Sequence, residues 1–238
     1  MGEMKKLIFI SGLFLLLYSS TLSVTHASFL SVDKEGVITA NVLGYDTESL
    51  EIKSLAGLNP TAGTITLSNN QEKTELTIVS SRGERSLDVS GLNQDIIEVE
   101  EKKTPQKLTI SEKDGQFIIA QGSVLASTTY TIKLNTNDHQ FMLVAPSGHK
   151  FLTTLPLEAV EFLNSANIIN RLSGGSSLSI SEDQSGELVY IATGEKVVKP
   201  FDLFEIIIPV TANVSATSGK VTKIDGPIWY RIFGFLLV

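Results

Sequence analysis

The chain has 238 residues, a formal net charge of −7 at pH 7 and no cysteine. The acidic balance argues against a nucleic-acid-binding protein, because binding to phosphates needs a basic surface. The lack of cysteine excludes disulfides, thiolate metal sites and a cysteine nucleophile. With 42% hydrophobic residues, the chain can still fold around an apolar core.

Residues 1–27 have the pattern of a secretory signal peptide. Lys5 and Lys6 precede a 12-residue apolar run that ends at Tyr18, and a polar stretch with small residues leads to a cleavage site after Ala27. An uncleaved anchor is the alternative, but a membrane span needs about 20 apolar residues. We therefore expect an exported protein with a secreted or extracytoplasmic location, and the cysteine-free composition favours a bacterial cell envelope.

Residues 28–103 are predicted to form a small β-sandwich. Apolar and polar residues alternate most clearly at 74–80 and 85–90. Several short strands, about ten residues apart and separated by turn residues, are typical of such a sandwich. The predicted strands lie at 36–44, 49–55, 63–68, 74–80, 85–90 and 95–100.

The charged run 98–103 predicts a domain boundary, and residues 104–226 are predicted to form a β-rich α+β domain. In this domain one main helix would pack on antiparallel strands. Hairpins are expected with turns at 113–115 and 146–148. The helix is predicted over 156–172, because a proline suits its first position and a Gly-Gly pair follows its end.

The segment 156–225 combines this helix, a two-stranded hairpin and a final hairpin that turns at VSATSGKV, residues 214–221. This arrangement resembles the PepSY domain, a small α+β module of peptidase propeptides and envelope proteins. Ser215 stands where that family has Asp, and Ser218 lengthens the approach to Gly219, which supplies positive φ at the tight turn. The resemblance implies a non-catalytic module that inhibits, chaperones or docks on a partner, and it implies no catalytic residues.

Motifs for catalysis or metal binding are absent from the sequence. It contains no Gly-x-Ser-x-Gly elbow, no His-Glu-x-x-His pair and no phosphate-binding loop. His139 and His149 are predicted to lie about 17 Å apart along one hairpin, too far to share a metal ion. We therefore predict no catalytic, cofactor-binding or metal-binding residues. The competing hypothesis is a hydrolase, or a peptidase-inhibitor or propeptide-type protein, and its most suitable catalytic set is Ser147, His149 and Asp138.

Residues 227–238 form an apolar C-terminal tail. The eleven residues 228–238, which include Arg231, are too few to cross a bilayer, so no transmembrane span is expected in the mature chain. The tail could fold back on its own domain, lie as an interfacial helix on a membrane, or dock in a groove of a protein partner. The expectation is an exported, non-enzymatic envelope protein that binds a protein partner or the membrane surface. The predicted contact residues are Ile228, Trp229, Tyr230, Ile232, Phe233, Phe235 and Leu236.

Overall fold

The computed structural model describes residues 28–40, 63–70, 73–81, 83–92, 95–100, 107–173, 177–199 and 204–229. Seventeen strands and one helix have their bounds in this part of the chain. In chain order they are β1 Leu30–Val32, β2 Ile38–Ala40, β3 Gly63–Asn70, β4 Lys73–Ser80, β5 Gly83–Asp88, β6 Ile97–Glu100, β7 Lys107–Lys113, β8 Gln116–Gln121, β9 Val124–Thr128, β10 Thr131–Asn135, β11 Gln140–Ala145, β12 Gly148–Phe151, α1 Pro156–Ser165, β13 Arg171–Leu172, β14 Ser177–Glu182, β15 Leu188–Val198, β16 Ile206–Ser215 and β17 Val221–Asp225.

The strands form two sheets. Sheet A is mixed and has eleven strands in the order β17-β16-β15-β14-β9-β8-β7-β6-β1-β2, with β13 attached to β15. Its parallel pairs are β1 with β6 and β9 with β14. Sheet B is antiparallel and has six strands in the order β12-β11-β10-β3-β4-β5. Apolar side chains from both sheets share one buried cluster, for example Leu67 of β3 with Leu108 and Ile110 of β7, so the fold is consistent with a β-sandwich.

The predicted α+β class with a main helix is wrong, because the described part of the chain is nearly all β. The helix α1 has ten residues, whereas the sequence predicted 156–172. It ends because Asn167 adopts a φ of 52°, and the backbone of Asn170 then donates a hydrogen bond to Glu195 of β15. The residues that continue the apolar stripe therefore serve sheet A: Ile169 is fully buried and β13 pairs with β15. After residue 165, the pairing of β13 with β15 therefore outweighs the helical preference that the spacing of apolar residues indicates.

The start of α1 follows the prediction. Pro156 occupies the beginning of the helix, where its missing N–H costs nothing. The Glu158 carboxylate accepts a 2.9 Å hydrogen bond from the Leu155 backbone N–H, which satisfies one free donor at the helix end. Ala159, Val160 and Leu163 are buried, and the helix packs against β8, β9 and β15.

The hairpin predictions are confirmed. β7 and β8 are joined through Asp114 and Gly115, whose φ values are 52° and 75°. β11 and β12 are joined at 146–148, with Gly148 at a φ of 119° and Val144 opposite His149. In the N-terminal region the strands predicted at 63–68 and 74–80 appear as β3 and β4, whereas β1 was not predicted and 49–55 lies outside the described residues.

The predicted division into 28–103 and 104–226 does not coincide with the division into sheets. β3 pairs with β10 in sheet B, and β6 pairs with β7 in sheet A. Each sheet therefore takes strands from both sides of residue 103. As a statement about separately folding units, the boundary stays a prediction.

Candidate binding surfaces

Two of the seven predicted contact residues lie in the described part of the chain. Ile228 is 76% exposed and Trp229 is 42% exposed. The other five, Tyr230, Ile232, Phe233, Phe235 and Leu236, lie outside the described residues. The structure therefore brings the start of the apolar tail to the surface.

The strand β17 directs the chain toward these two residues. It pairs with β16 only from Val214 to Thr211, and Asp225 stands opposite Thr211. If this register continued, Pro227 would stand opposite Pro209, and neither proline has an N–H to donate. The pairing accordingly stops at Asp225, and the chain leaves the sheet beside the first half of β16.

Exposed apolar side chains gather along this edge of sheet A. Ile224 pairs with Ala212, whose side chain faces the core, whereas Ile207 points to the opposite face because it alternates with the buried Ile208. The edge is thus apolar on both faces. Half of the ten exposed large hydrophobic side chains in the described residues belong to it, and we name them the C-terminal corner: Phe204, Ile207, Ile224, Ile228 and Trp229.

The charge near the C-terminal corner differs from that of the whole chain. Residues 204–238 carry three basic and two acidic side chains, although the chain as a whole has a net charge of −7. One of the basic groups, Lys223, forms an ion pair of 2.6 Å with Asp225. The corner can therefore approach an anionic or neutral surface without the repulsion that the rest of the chain would cause.

Sequence reasoning missed Phe204, Ile207 and Ile224 as members of this surface. The runs FEIIIPVTANVS and GKVTKID, which contain these three residues, were predicted only as strands, without a prediction of which side chains are exposed. Ile207 lies on the part of β16 with which β17 does not pair. The proline at 209, which is tolerated only on edge strands, was the available signal.

The catalytic set considered for a hydrolase is not assembled around one point. The Ser147 hydroxyl and backbone N–H both donate hydrogen bonds to the Glu182 carboxylate. Asp138 accepts a hydrogen bond from Asn135 at the other end of β11, about 20 Å from Ser147 at 3.3 Å per strand residue. His149 is exposed on β12. The hydrolase alternative therefore has no supporting arrangement in these residues, and the absence of enzymatic activity stays a prediction.

Several polar groups on β4 and β5 have local partners. A shallow depression of about 340 Å³ on β4 and β5 is lined by Lys73, Glu75 and Asp88, among others. Hydrogen bonds from Ser90 hold the pKa of Asp88 below its usual value, and the Ser86 hydroxyl donates to Glu75. The Asp88 carboxylate, stabilised by Ser90, is a poor proton acceptor. Within the described ranges, no three histidine, aspartate or glutamate side chains are placed to share a metal ion.

The most buried titratable group serves the fold. The Tyr190 hydroxyl is fully buried and donates a 2.8 Å hydrogen bond to the Thr154 carbonyl. Burial raises its pKa well above the ordinary value for tyrosine, and the charge of Glu158 adds to the effect. It stays a neutral donor that ties β15 to the segment before α1.

In the part of the chain that the structure describes, no helix combines the length and the apolar character that crossing a bilayer requires. Comparison with protein-family models, with curated proteins and with solved structures gave no match. The PepSY-like resemblance therefore stays a prediction, and a functional conclusion must rest on the surfaces described above.

Proposed function

We propose that this chain is an exported, non-enzymatic protein that binds a membrane surface through its C-terminal corner. The observation that carries the proposal is the exposure of Ile228 and Trp229 at an edge that is apolar on both faces. After this edge the sequence continues with the apolar segment RIFGFLLV, residues 231–238. Apolar side chains of this kind are unfavourable in water and are normally buried against protein or lipid. Export rests on the signal-like residues 1–27.

The expected strength of attachment follows from the exposed area. Full burial of a large apolar side chain contributes about 1.5–3 kcal/mol, so a half-exposed one contributes about 1 kcal/mol when lipid covers it. Because Ile207 and Ile224 point to opposite faces of the sheet, one lipid surface covers at most four of the five side chains, which together contribute about 4 kcal/mol, comparable to one short acyl chain. Such binding is reversible, and the apolar residues after Trp229 would strengthen it.

The chemistry of the corner favours a lipid surface. Tryptophan is enriched at the headgroup level of membranes, because its ring is apolar and its N–H is polar. The two acidic side chains in residues 204–238 are outnumbered by three basic ones, so even an anionic bilayer is not repelled locally. Among the described residues of the corner, Lys223 and Asp225 pair with each other instead of forming a row of like charges for a protein ligand, which makes the protein-partner alternative second.

Vesicle flotation tests the proposal. The mature chain is mixed with phosphatidylcholine vesicles and floated through a density gradient, alongside a variant that ends at Gly226. We expect the truncation to abolish flotation and Trp229→Ser to lower the partition constant about five- to tenfold, which corresponds to a loss of about 1–1.4 kcal/mol.

A matched control uses an apolar side chain at another edge. Phe151 on β12 is 50% exposed and lies at the outer edge of sheet B. Phe151→Ser should float like the parent chain, and circular dichroism should show that all variants are folded. Equal flotation of the parent and truncated chains would rule out the membrane proposal, and so would equal losses at Phe151 and Trp229. Absence of flotation by the parent chain would rule it out too and would favour a protein partner.

A further inference from the structure

The residues that would begin the mature chain lie in the core of the sandwich. In the proposed export, a cut after Ala27 makes Ser28 the first residue. Ser28 is 5% exposed and Phe29 is 1% exposed. Phe29 is among the largest fully buried side chains of the described residues, and it belongs to the apolar cluster that both sheets share. The expected processing site therefore lies directly against the core.

The strand β1, which follows this site, is an interior strand of sheet A. It pairs in parallel with β6 on one side and antiparallel with β2 on the other. The Phe29 N–H donates a 2.9 Å hydrogen bond to the Asp95 carbonyl, and the Leu30 N–H donates one of 2.9 Å to the Ile96 carbonyl. Only Ser28 separates this hydrogen-bonded backbone from the expected cut.

Hydrolysis of the Ala27–Ser28 bond requires accessible backbone on both sides of the bond. A signal peptidase accepts small residues at the first and third positions before the bond, which are Ala27 and Thr25. Peptide segments that bind in an extended conformation are held through their backbone groups, and proteolysis concentrates where the backbone is exposed. In the folded chain Phe29 and Leu30 are buried and their N–H groups are already hydrogen-bonded.

These residues become accessible only if β1 leaves sheet A. Phe29, Leu30 and Val32 would then lose their burial in the core. Their neighbours on β6, Ile97 and Val99, would lose their pairing partners on that side. In the described part of the chain β2 is the outermost strand of sheet A and pairs with β1, so it would be detached as well. An opening that disrupts this much of the core is rarely populated in the folded state.

We infer that the Ala27–Ser28 bond is a processing site that a signal peptidase can reach only until β1 enters sheet A. In the hydrolysis, water adds to the Ala27 carbonyl carbon and the C–N bond breaks, which leaves a carboxylate on Ala27 and an ammonium group on Ser28. The inference rests on the proposed export of the chain. Its consequence is that processing precedes folding, and that a chain which folds first keeps residues 1–27.

Peptidase assays on the full-length precursor test this order of events. One sample of the precursor is folded in detergent and incubated with a purified signal peptidase, and a second sample is diluted from urea directly into the peptidase. We expect the folded sample to be cut at least about a hundredfold more slowly, because its rate follows the population of the opened state. Mass spectrometry of the products identifies the bond that is cut.

Two variants show whether β1 causes the protection. An eight-residue Gly-Ser linker between Ser28 and Phe29 keeps the recognised residues and adds about 26 Å of free chain, at about 3.3 Å per residue. The folded linker variant should be cut as fast as the chain diluted from urea. Phe29→Ala should raise the rate for the folded precursor at least about tenfold, because it weakens the hold of the core on β1. Phe151→Ala, at a half-exposed position of sheet B, should leave the rate unchanged, and circular dichroism should show that all folded samples have the same strand content.

The outcomes separate this inference from the proposals on which it depends. Rapid cutting of the folded parent precursor would overturn it, and so would equal protection with and without the linker or equal acceleration by Phe29→Ala and Phe151→Ala. If neither the linker variant nor the chain diluted from urea is cut after Ala27, the expected export fails and the inference fails with it. Flotation through the C-terminal corner is measured on the mature chain, so it succeeds or fails independently of these rates.

Discussion

Replacement of Gly219 by alanine tests how the last hairpin is fitted against the helix. Gly219 lies in the turn between β16 and β17 with a φ of 71°. A Cβ atom there would lie 2.5 Å from Cε2 of Phe162 on α1, whereas ordinary contacts are 3.4–4 Å. Alanine at this position therefore faces both backbone strain and a collision with the ring.

The two costs can be estimated separately. A non-glycine residue in the left-handed region costs about 1–2 kcal/mol. Phe162 is 46% exposed, so its ring can move into solvent, and the loss of its remaining packing costs about 1 kcal/mol. Gly219→Ala should lower the free energy of unfolding by about 2–3 kcal/mol. Gly122→Ala is the matched control, because Gly122 has a φ of 59° and its Cβ would meet no atom within 4 Å, so only the backbone cost remains.

Urea denaturation of the single and double variants measures both terms. In a Phe162→Ala background, the effect of Gly219→Ala should fall to that of Gly122→Ala, which gives a coupling energy of about 1 kcal/mol. A loss that is the same in both backgrounds would show that the close approach of the turn and the helix does not limit stability, and the reasoning would be refuted.

Two further predictions concern stability. Phe117→Ala, at a fully buried position on β8, should lower the free energy of unfolding by about 3–5 kcal/mol. Phe151→Ala, at a half-exposed position, should lower it much less. Equal effects of the two substitutions in urea denaturation would contradict the placement of Phe117 in the core that both sheets share. Asp183 accepts hydrogen bonds from the Ser185 hydroxyl at 2.7 Å and from the Glu187 backbone at 2.9 Å, and the Ser185 bond in particular lowers its pKa. Because the folded-state pKa is below the unfolded value of 3.8, this stabilisation is present above about pH 4 and is lost as the pH falls through the folded-state pKa. Asp183→Asn should therefore be less stable than the parent chain at pH 7, and thermal melts of the two should converge once the pH is below the folded-state pKa of Asp183. A difference in melting temperature that stays constant with pH would contradict the role of the carboxylate.

Local chemistry made several elements predictable. The hairpin at 113–115 follows from Asp-Gly, since both residues adopt positive φ there. The start of α1 follows from the proline at 156, and the register of the 146–148 hairpin follows from its two-residue turn. In each case the decisive interaction joins residues that are close in the chain.

The errors have a common physical origin. The end of α1 was misplaced because Ile169 and β13 gain more by joining sheet A than by continuing the helix. The predicted boundary at residue 103 ignored pairings such as β3 with β10, which join residues about 70 positions apart. No local pattern encodes which distant strand will be the neighbour.

For the candidate surfaces, too, the sequence determined some features and the tertiary structure determined others. From the sequence alone come the acidic balance, the absence of cysteine, the strand-forming alternation and the apolar tail with Ile228 and Trp229. Only the tertiary structure decided that Phe204, Ile207 and Ile224 are exposed as well, on the two strands next to the start of the tail. Alternation tells which side chains of a strand share a face, but the composition of that face depends on strand order and register, which non-local backbone pairing and burial of the common core determine.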